Sequence, residues 1–298
     1  EAMQLEIKNI YKNYGKVQAL KGVSMELNAG VYGLLGPNGA GKSTLIQIIT
    51  GNLAASDGEV CYDGKSIKKD EKNYKRHLGY VPQSQGIYDS FTAKQFLEYM
   101  AILKDVEKKR IPEEIASVLE VVGLTEVKDR KLGGFSGGMR QRILIGQALL
   151  GNPEIVILDE PTAGLDPKER IRIRNFISKI AENKIVLIAT HVVSDVESIA
   201  KEIILLGGGT IAGKGTPEEL CEALNGEVWE CHISSSQYEE MEKQFIITNL
   251  QEVPGGMICV RFIGKEEQVK AITESGVQIH SVYPNLQEVY LNIFSESR

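Results

Sequence analysis

The sequence has no uninterrupted apolar run near the ~18 to 20 residues that a membrane-crossing helix needs, and no signal peptide precedes its first strand-like segment. A chain that stays in the cytosol is therefore expected. Paired cysteines are missing too. Cys61, Cys221, Cys231 and Cys259 lie far apart in apolar contexts, form no CxxC pair, and are joined by no cluster with His77, His191, His232 or His280. That spacing fits buried thiols in a reducing compartment better than disulfides or a metal cluster. There is no excess of basic charge. The formal charge is -6, so a bare polyanion is not the expected main partner and no nucleic acid is expected. Internal repeats, low-complexity segments and sustained heptads are also absent. Glu1 and Ala2, ahead of Met3, look like a remnant of cloning.

What remains is an ordinary globular composition, with 42% hydrophobic and 25% charged residues in 298. That length can bury a substantial core and accommodates a large domain plus a small one. Met3 to Ile10 and Val17 to Leu27 alternate apolar and polar residues, as half-buried strands do, whereas Val31 to Leu35 is a continuous apolar run typical of a central parallel strand. From Lys42, the positions Leu45, Ile46, Ile48 and Ile49 suit a short buried helix closed by Gly51. The local order is strand, glycine-rich loop, helix.

Between about Gln83 and Gly151 helix signals replace strand signals. Thr92 and Gln95 make a capping box ahead of Phe96, Tyr99, Met100 and Leu103, and Ile111 to Val122 is amphipathic. This stretch, about 84–151, is expected to be a helical insertion into the sheet domain. Strands return at Ile155 to Leu158 and Ile185 to Ala189, with a charged helix from Lys168 to Glu182 between them, which implies a βαβ unit. At Gly215 the pattern changes. Thr216, Pro217 and Glu219 fit the cap, first and third positions of a short helix that Asn225-Gly226 ends. A first domain over 3–222 and an accessory domain over 226–298 are therefore expected. The second reads strand (Val228 to Ile233), helix (Ser235 to Lys243), strand (Phe245 to Glu252), strand (Met257 to Ile263), helix (Lys265 to Glu274) and strand (Val277 to Val282). That is the ferredoxin-like βαββαβ order. A last helix, Asn285 to Phe294, follows Pro284.

The densest chemical signal is Gly36-Pro37-Asn38-Gly39-Ala40-Gly41-Lys42-Ser43-Thr44, which matches the phosphate-binding pattern GxxxxGK[ST] between a strand and a helix. Its glycines let successive amide hydrogens point inward, and the helix N-terminus adds positive potential, so a triphosphate is the anion that fits. Lys42 can reach its β- and γ-phosphates, and the Ser43 hydroxyl can ligate Mg²⁺. Ile155-Val156-Ile157-Leu158-Asp159-Glu160 is a buried strand ending in two carboxylates, at the edge where open α/β sheets bind ligands. Asp159 is the expected metal ligand. Because consecutive strand residues point to opposite sides, Glu160 is expected to leave the metal and act as general base on a water in line with the γ-phosphate.

This order of motifs resembles an ATP-binding cassette (ABC) subunit, over about Met3 to Glu222. The family's signature, Leu-Ser-Gly-Gly-Gln, stands here as Phe135-Ser136-Gly137-Gly138-Met139, with Met139 in place of Gln. The Met form followed by Arg140-Gln141-Arg142 is similar to the drug- and antibiotic-exporter branch. So, more weakly, is the C-terminal Pro284-Asn285-Leu286-Gln287-Glu288-Val289-Tyr290-Leu291. The resemblance implies an α/β phosphate-loop NTPase sheet domain with a helical insertion, plus a small α+β C-terminal domain. It implies ATP and Mg²⁺ as cofactors, and an ATPase that couples dimer closure to transport, export by branch. Tyr14 resembles the aromatic that stacks on adenine, with Tyr11 the competing candidate. Gln83 resembles the glutamine linking the metal site to the insertion, Asp166 in Gly164-Leu165-Asp166 matches a subunit-contact loop, and His191 resembles the switch histidine on the γ-phosphate. Two subunits, this chain with a second copy or a homologous cassette, would face head to tail, so that Ser136, Gly137 and Gly138 of one meet ATP held at Lys42 of the other. A membrane-spanning subunit on a separate chain would receive the motion. A cassette acting as a clamp on ribosomes or DNA usually carries two cassettes or a long coiled coil, and neither is found here; a phosphate-loop kinase would need an acceptor.

Overall fold

The computed structural model describes residues 3–84, 86–273 and 276–295, so Glu1 and Ala2 lie outside the described residues. The chain separates into two compact units, Glu1–Ile211 and Ala212–Arg298. The first begins with β1 (Leu5–Tyr14), β2 (Val17–Leu27) and β3 (Gly30–Leu35), then α1 (Lys42–Ile49), β4 (Asp57–Tyr62), β5 (Lys65–Ser66), α2 (Glu71–Arg76) and β6 (Leu78–Val81). The two alternating segments at the N-terminus do not join β3. They pair antiparallel with each other, and β4 and β5 complete a separate sheet in the order β2-β1-β4-β5. Their apolar faces, including Leu5, Ile7, Ile10, Leu20 and Val23, pack into one core with the buried positions of α1 and β3. The buried residues of α1 are Lys42, Leu45, Ile46, Ile48 and Ile49.

After β6 come α3 (Ala93–Leu103), α4 (Ile111–Val121) and α5 (Gly137–Leu149), which form the expected insertion. The capping box at α3 is present: Gln95 N donates to Thr92 Oγ1 at 3.1 Å, and Thr92 N donates to Gln95 Oε1 at 2.9 Å. The chain then runs through β7 (Ile155–Asp159), α6 (Pro167–Ile180), β8 (Ile185–Thr190), β9 (Glu202–Gly207) and β10 (Thr210–Gly215). The second sheet has the order β10-β9-β3-β8-β7-β6. β3, β8, β7 and β6 are neighbours in parallel register, with Leu35 opposite Thr190, Asp159 opposite Ala189 and Val81 opposite Leu158. Their carboxyl ends therefore lie side by side. The short strands β6 and β9, which escaped the periodicity reading, are short apolar runs whose partners are distant in sequence.

The second unit begins inside β10 and includes α7 (Pro217–Glu222), which the sequence reading put in the first domain. The physical reason is packing. α7 lies against α10 (Leu286–Phe294), the last helix of the same unit. Between them come β11 (Val228–Ile233), α8 (Ser235–Met241), β12 (Ile246–Val253), β13 (Met257–Ile263), α9 (Glu266–Thr273) and β14 (Ile279–Ser281). The sheet order β12-β13-β11-β14 with antiparallel pairing is the ferredoxin-like arrangement. Glu274, the expected end of α9, lies outside the described residues. Cys231, Ile233, Val260 and Phe262 form the core with Phe245, whose ring meets Phe262 edge to face at 4.9 Å.

The Pro284 to Leu291 segment has a structural explanation. Asn285 caps α10, accepting from Glu288 N at 3.0 Å, and Glu288, 1% exposed, accepts from Asn285 N at 2.9 Å. Arg261 grips the same carboxylate with two bonds of 2.5 and 2.9 Å, and Thr248 Oγ1 donates to it at 2.9 Å. Burial pushes the Glu288 carboxyl up, but the Arg261 guanidinium and the Asn285 and Thr248 donors outweigh it and hold it below the usual glutamate value. A carboxyl depressed in the folded state contributes stability that is complete above its unfolded pKa and is lost as pH falls through the folded one. Glu288→Gln is expected to lower stability by roughly 2 to 3 kcal/mol at neutral pH. Melting scans between neutral and acid pH should show the variant and parent converging as pH falls.

Candidate functional site

The phosphate loop leaves β3 at Gly36 and enters α1 at Lys42. A Cβ on Gly36 would lie 2.1 Å from Leu206 O of β9, so only glycine lets the loop run this close to the neighbouring backbone. Gly41 has φ 104° and precedes the helix, a conformation in which side chains are strained. Asn38 and Gly39 are exposed, Ala40 is buried, Ser43 is exposed and Thr44 is half-buried in the first turn of α1. Lys42 is buried, and its Nζ donates to Gly36 O at 2.5 Å and to Pro37 O at 3.2 Å. Its ammonium thus lies across the loop's own carbonyls. Burial lowers its pKa, and the negative charges of Glu160 and Asp159 oppose that shift.

Asp159 closes β7 and is buried. Burial, then the adjacent Glu160, push its carboxyl up to about 6 against the pull of Lys42. The three charged groups therefore feel one another across the carboxyl edge of the sheet. Glu160 reaches its place by a different route from the one expected. It lies outside the strand with φ 50°, in the left-handed region that non-glycine residues rarely adopt. A turn, not strand alternation, sets its direction, and its N–H donates to Ala189 O of β8 at 2.8 Å.

That turn delivers the Glu160 carboxylate to the end of β8. Its Oε1 lies 2.8 Å from His191 Nδ1, and Thr190 Oγ1 donates to its Oε2 at 3.2 Å. The glutamate side chain is 9% exposed and the histidine 53%, so the carboxylate is sheltered while the imidazole faces outward. With Nδ1–H directed to Glu160, Nε2 is the histidine atom left to meet a ligand. Thr190 accepts in turn from Val192 N at 3.1 Å. Its part as an orienting hydroxyl was missed by the sequence reading. The only signal for it was its place just before His191.

The remaining residues from the sequence reading stand apart from this group within one chain. Gln83 is exposed just beyond β6, next to β7 in the sheet. Tyr14 is 48% exposed at the end of β1, with Lys12 Nζ 5.3 Å from its ring centroid, whereas the Tyr11 hydroxyl packs over Gly22, 2.8 Å from where a Cβ there would lie. Ser136 caps α5, accepting from Met139 N at 3.2 Å. Ser136 and Gly137 are exposed, and Gly138 is buried beneath Glu169 of α6, whose carboxylate would meet any Cβ there. Asp166 caps α6, accepting from Glu169 N at 3.0 Å. Arg140, beside the signature, is tied to Asp89 at 3.1 Å. Among the described residues no cluster of three or more His, Cys, Asp or Glu could hold a metal ion.

Comparison with known proteins agrees with this arrangement. The ABC transporter family model matches residues 20–163. The linearmycin resistance ATP-binding protein LnrL of Bacillus subtilis (strain 168) is 39% identical over 225 residues, which cover 75% of this chain and 72% of that protein. The Nod factor export ATP-binding protein I of Rhizobium meliloti (strain 1021) is 28% identical over 298 residues, covering 97% of this chain and 87% of its own. Among solved structures, the dimeric post-hydrolysis state of the ATP-binding cassette MJ0796 bound to ADP and Pi superimposes with a TM-score of 0.63 at 26% identity, covering 71% of this chain and 98% of that one. With a glycine-lined loop, a buried lysine, two carboxylates and a histidine gathered on one sheet edge, and with these relatives, the chain belongs to the ABC transporter family as an ATP-binding and ATP-hydrolysing subunit.

Proposed function

We propose that this chain, closed head to tail on a second copy or on a homologous cassette subunit, hydrolyses ATP to drive export through a membrane-spanning subunit on a separate chain. The observation that carries the reading is the convergence of Lys42, Asp159, Glu160 and His191 at the carboxyl ends of neighbouring parallel strands. The backbone of Gly36, Asn38, Gly39, Ala40 and Gly41, with Thr44, cradles the phosphates. Lys42 exchanges its loop carbonyls for phosphate oxygens. Tyr14 offers its exposed ring to the adenine.

Ser43, Asp159 and Gln83 present only oxygen donors, the set that a hard dication such as Mg²⁺ takes, and the buried Asp159 carboxylate suits a cation beside it. When bound, the ion supplies charge neutralisation on the phosphates. Glu160, oriented by His191 and Thr190, takes the proton as water attacks the γ-phosphorus and ADP leaves. The exposed Ser136 and Gly137, with Gly138 and the Asp166 loop, come from the facing subunit and complete the site on closure.

Export is supported by the likeness to the Nod factor export protein, which aligns across both units. No described helix is long and apolar enough to cross a membrane, so the reading has the chain peripheral on the cytoplasmic face, carried there by its partner.

Glu160→Gln is expected to leave ATP binding intact, slow turnover by a factor on the order of a hundred or more, and accumulate an ATP-bound dimer. Steady-state hydrolysis and size-exclusion chromatography with ATP read both effects, and near-normal turnover removes Glu160 from the base role. Lys42→Ala is expected to weaken nucleotide affinity and abolish hydrolysis; titration with a fluorescent ATP analogue checks it, and unchanged binding contradicts the loop assignment. Affinity purification from native membranes should recover a membrane-spanning protein whose ATP-dependent efflux stops with the Glu160→Gln chain.

A further inference from the structure

Two buried polar side chains near the site have no part in the scheme above. Asp195, 3% exposed, sits in the single helical turn Val193–Asp195 that follows His191. Its Oδ2 accepts from the hydroxyl of Thr162 at 2.5 Å, and Thr162 is 2% exposed. Thr162 belongs to the turn that follows Glu160. A carboxylate taken out of water costs several kcal/mol unless it is well partnered, so a buried Asp facing a neutral hydroxyl calls for an explanation.

The segment from His191 to Val196 is held at further points. Arg174 of α6 donates to Ser194 O, and Val192 N is fixed by Thr190. Val196 packs so tightly on β3 that a Cβ at Gly33 would lie 2.9 Å from its Cγ2. These anchors tie the segment to α6, β8 and β3. Besides the His191–Glu160 contact itself, the Asp195 bond ties it to the turn that carries Glu160. That turn is itself folded tightly, with Ala163 N donating to Glu160 O at 3.2 Å and Leu165 N donating to Thr162 O at 3.2 Å.

We propose that Asp195, through Thr162, is a positioning residue for ATP hydrolysis, locking the turn after Glu160 to the turn after His191 so that the carboxylate and imidazole stay in contact. This rests on the reading of Glu160 and His191 given above. The Asp195 carboxylate bonds to the Thr162 hydroxyl. It acts by holding in place the left-handed turn that aims Glu160.

The test is steady-state ATP hydrolysis by the full chain carrying Asp195→Ala, Asp195→Asn, Thr162→Val or Thr162→Ser, with Glu160→Gln and His191→Ala alongside. Asp195→Ala and Thr162→Val should each lower kcat about tenfold while KM and the melting temperature stay near the parent. Asp195→Asn and Thr162→Ser keep a partner for the bond and should restore most of the rate. The double variant Asp195→Ala/Thr162→Val should be no slower than either single one, because both remove the same contact. Rate losses that multiply in the double variant, fail to recover with Asn and Ser, or track a fall in melting temperature would overturn the proposal in favour of a fold-supporting pair. So would a normal kcat in Asp195→Ala while Glu160→Gln and His191→Ala are inactive. If those two variants also turn over normally, the site reading itself fails.

Discussion

The parallel pairing of β7 between β6 and β8, with β8 in turn against β3, decides where every charged group of the site falls. Parallel strands in one register end at one edge. The phosphate loop, Asp159 and Glu160, His191, and Gln83 therefore leave the sheet side by side although they are far apart in sequence. Parallel pairing also demands burial on both faces, which is why these strands read as continuous apolar runs and why the polar groups are confined to their ends. Loss of register by one residue would turn Asp159 away from Lys42.

Burial at that edge has an electrostatic consequence. Asp159 and Glu160 are consecutive acids in a poorly hydrated place, and Asp159 is pushed up to about 6 by burial and by its neighbour. Lys42 is pushed down by the same burial and held up by the same acids. Each group is thus poised to gain from a ligand of opposite charge. Glu160 is treated differently. Its carboxylate already has His191 and Thr190, so its contacts fix direction rather than await a partner.

Much of this was legible in the sequence because it is local. The glycine loop, the strand into Asp159, and the caps at Thr92, Ser136, Asp166, Thr216 and Asn285 are short-range patterns whose physics needs no tertiary information. What escaped depends on partners distant in the chain. The turn at Glu160 is imposed by Ala189, the Thr162 bond by Asp195, and the separate antiparallel sheet by the pairing of β1 with β4. Strand alternation does not set the direction of Glu160, because the left-handed backbone there shows in no residue preference. The boundary of the second unit was misjudged for a similar cause: the cap at Thr216 signals a helix but not what the helix packs on.

The insertion is not loosely appended to this edge. α5 begins at the signature and runs to β6, where the buried Gln147 donates to Tyr80 O at 3.1 Å, and a Cβ on Gly79 would lie 2.2 Å from Ala148 O. Tyr80 lies on β6, three residues before Gln83. At the far end of α5 the ammonium of Lys104 donates to Ala148 O at 2.8 Å, with its pKa lowered by burial to about 8. These contacts hold the C-terminal end of α5 against β6, so a displacement carried along α5 from Ser136 bears on that contact. Rigid elements with discrete packings are what convert a small shift at a ligand into a larger one elsewhere. In this chain the element joining the signature to the glutamine that follows β6 is α5 itself.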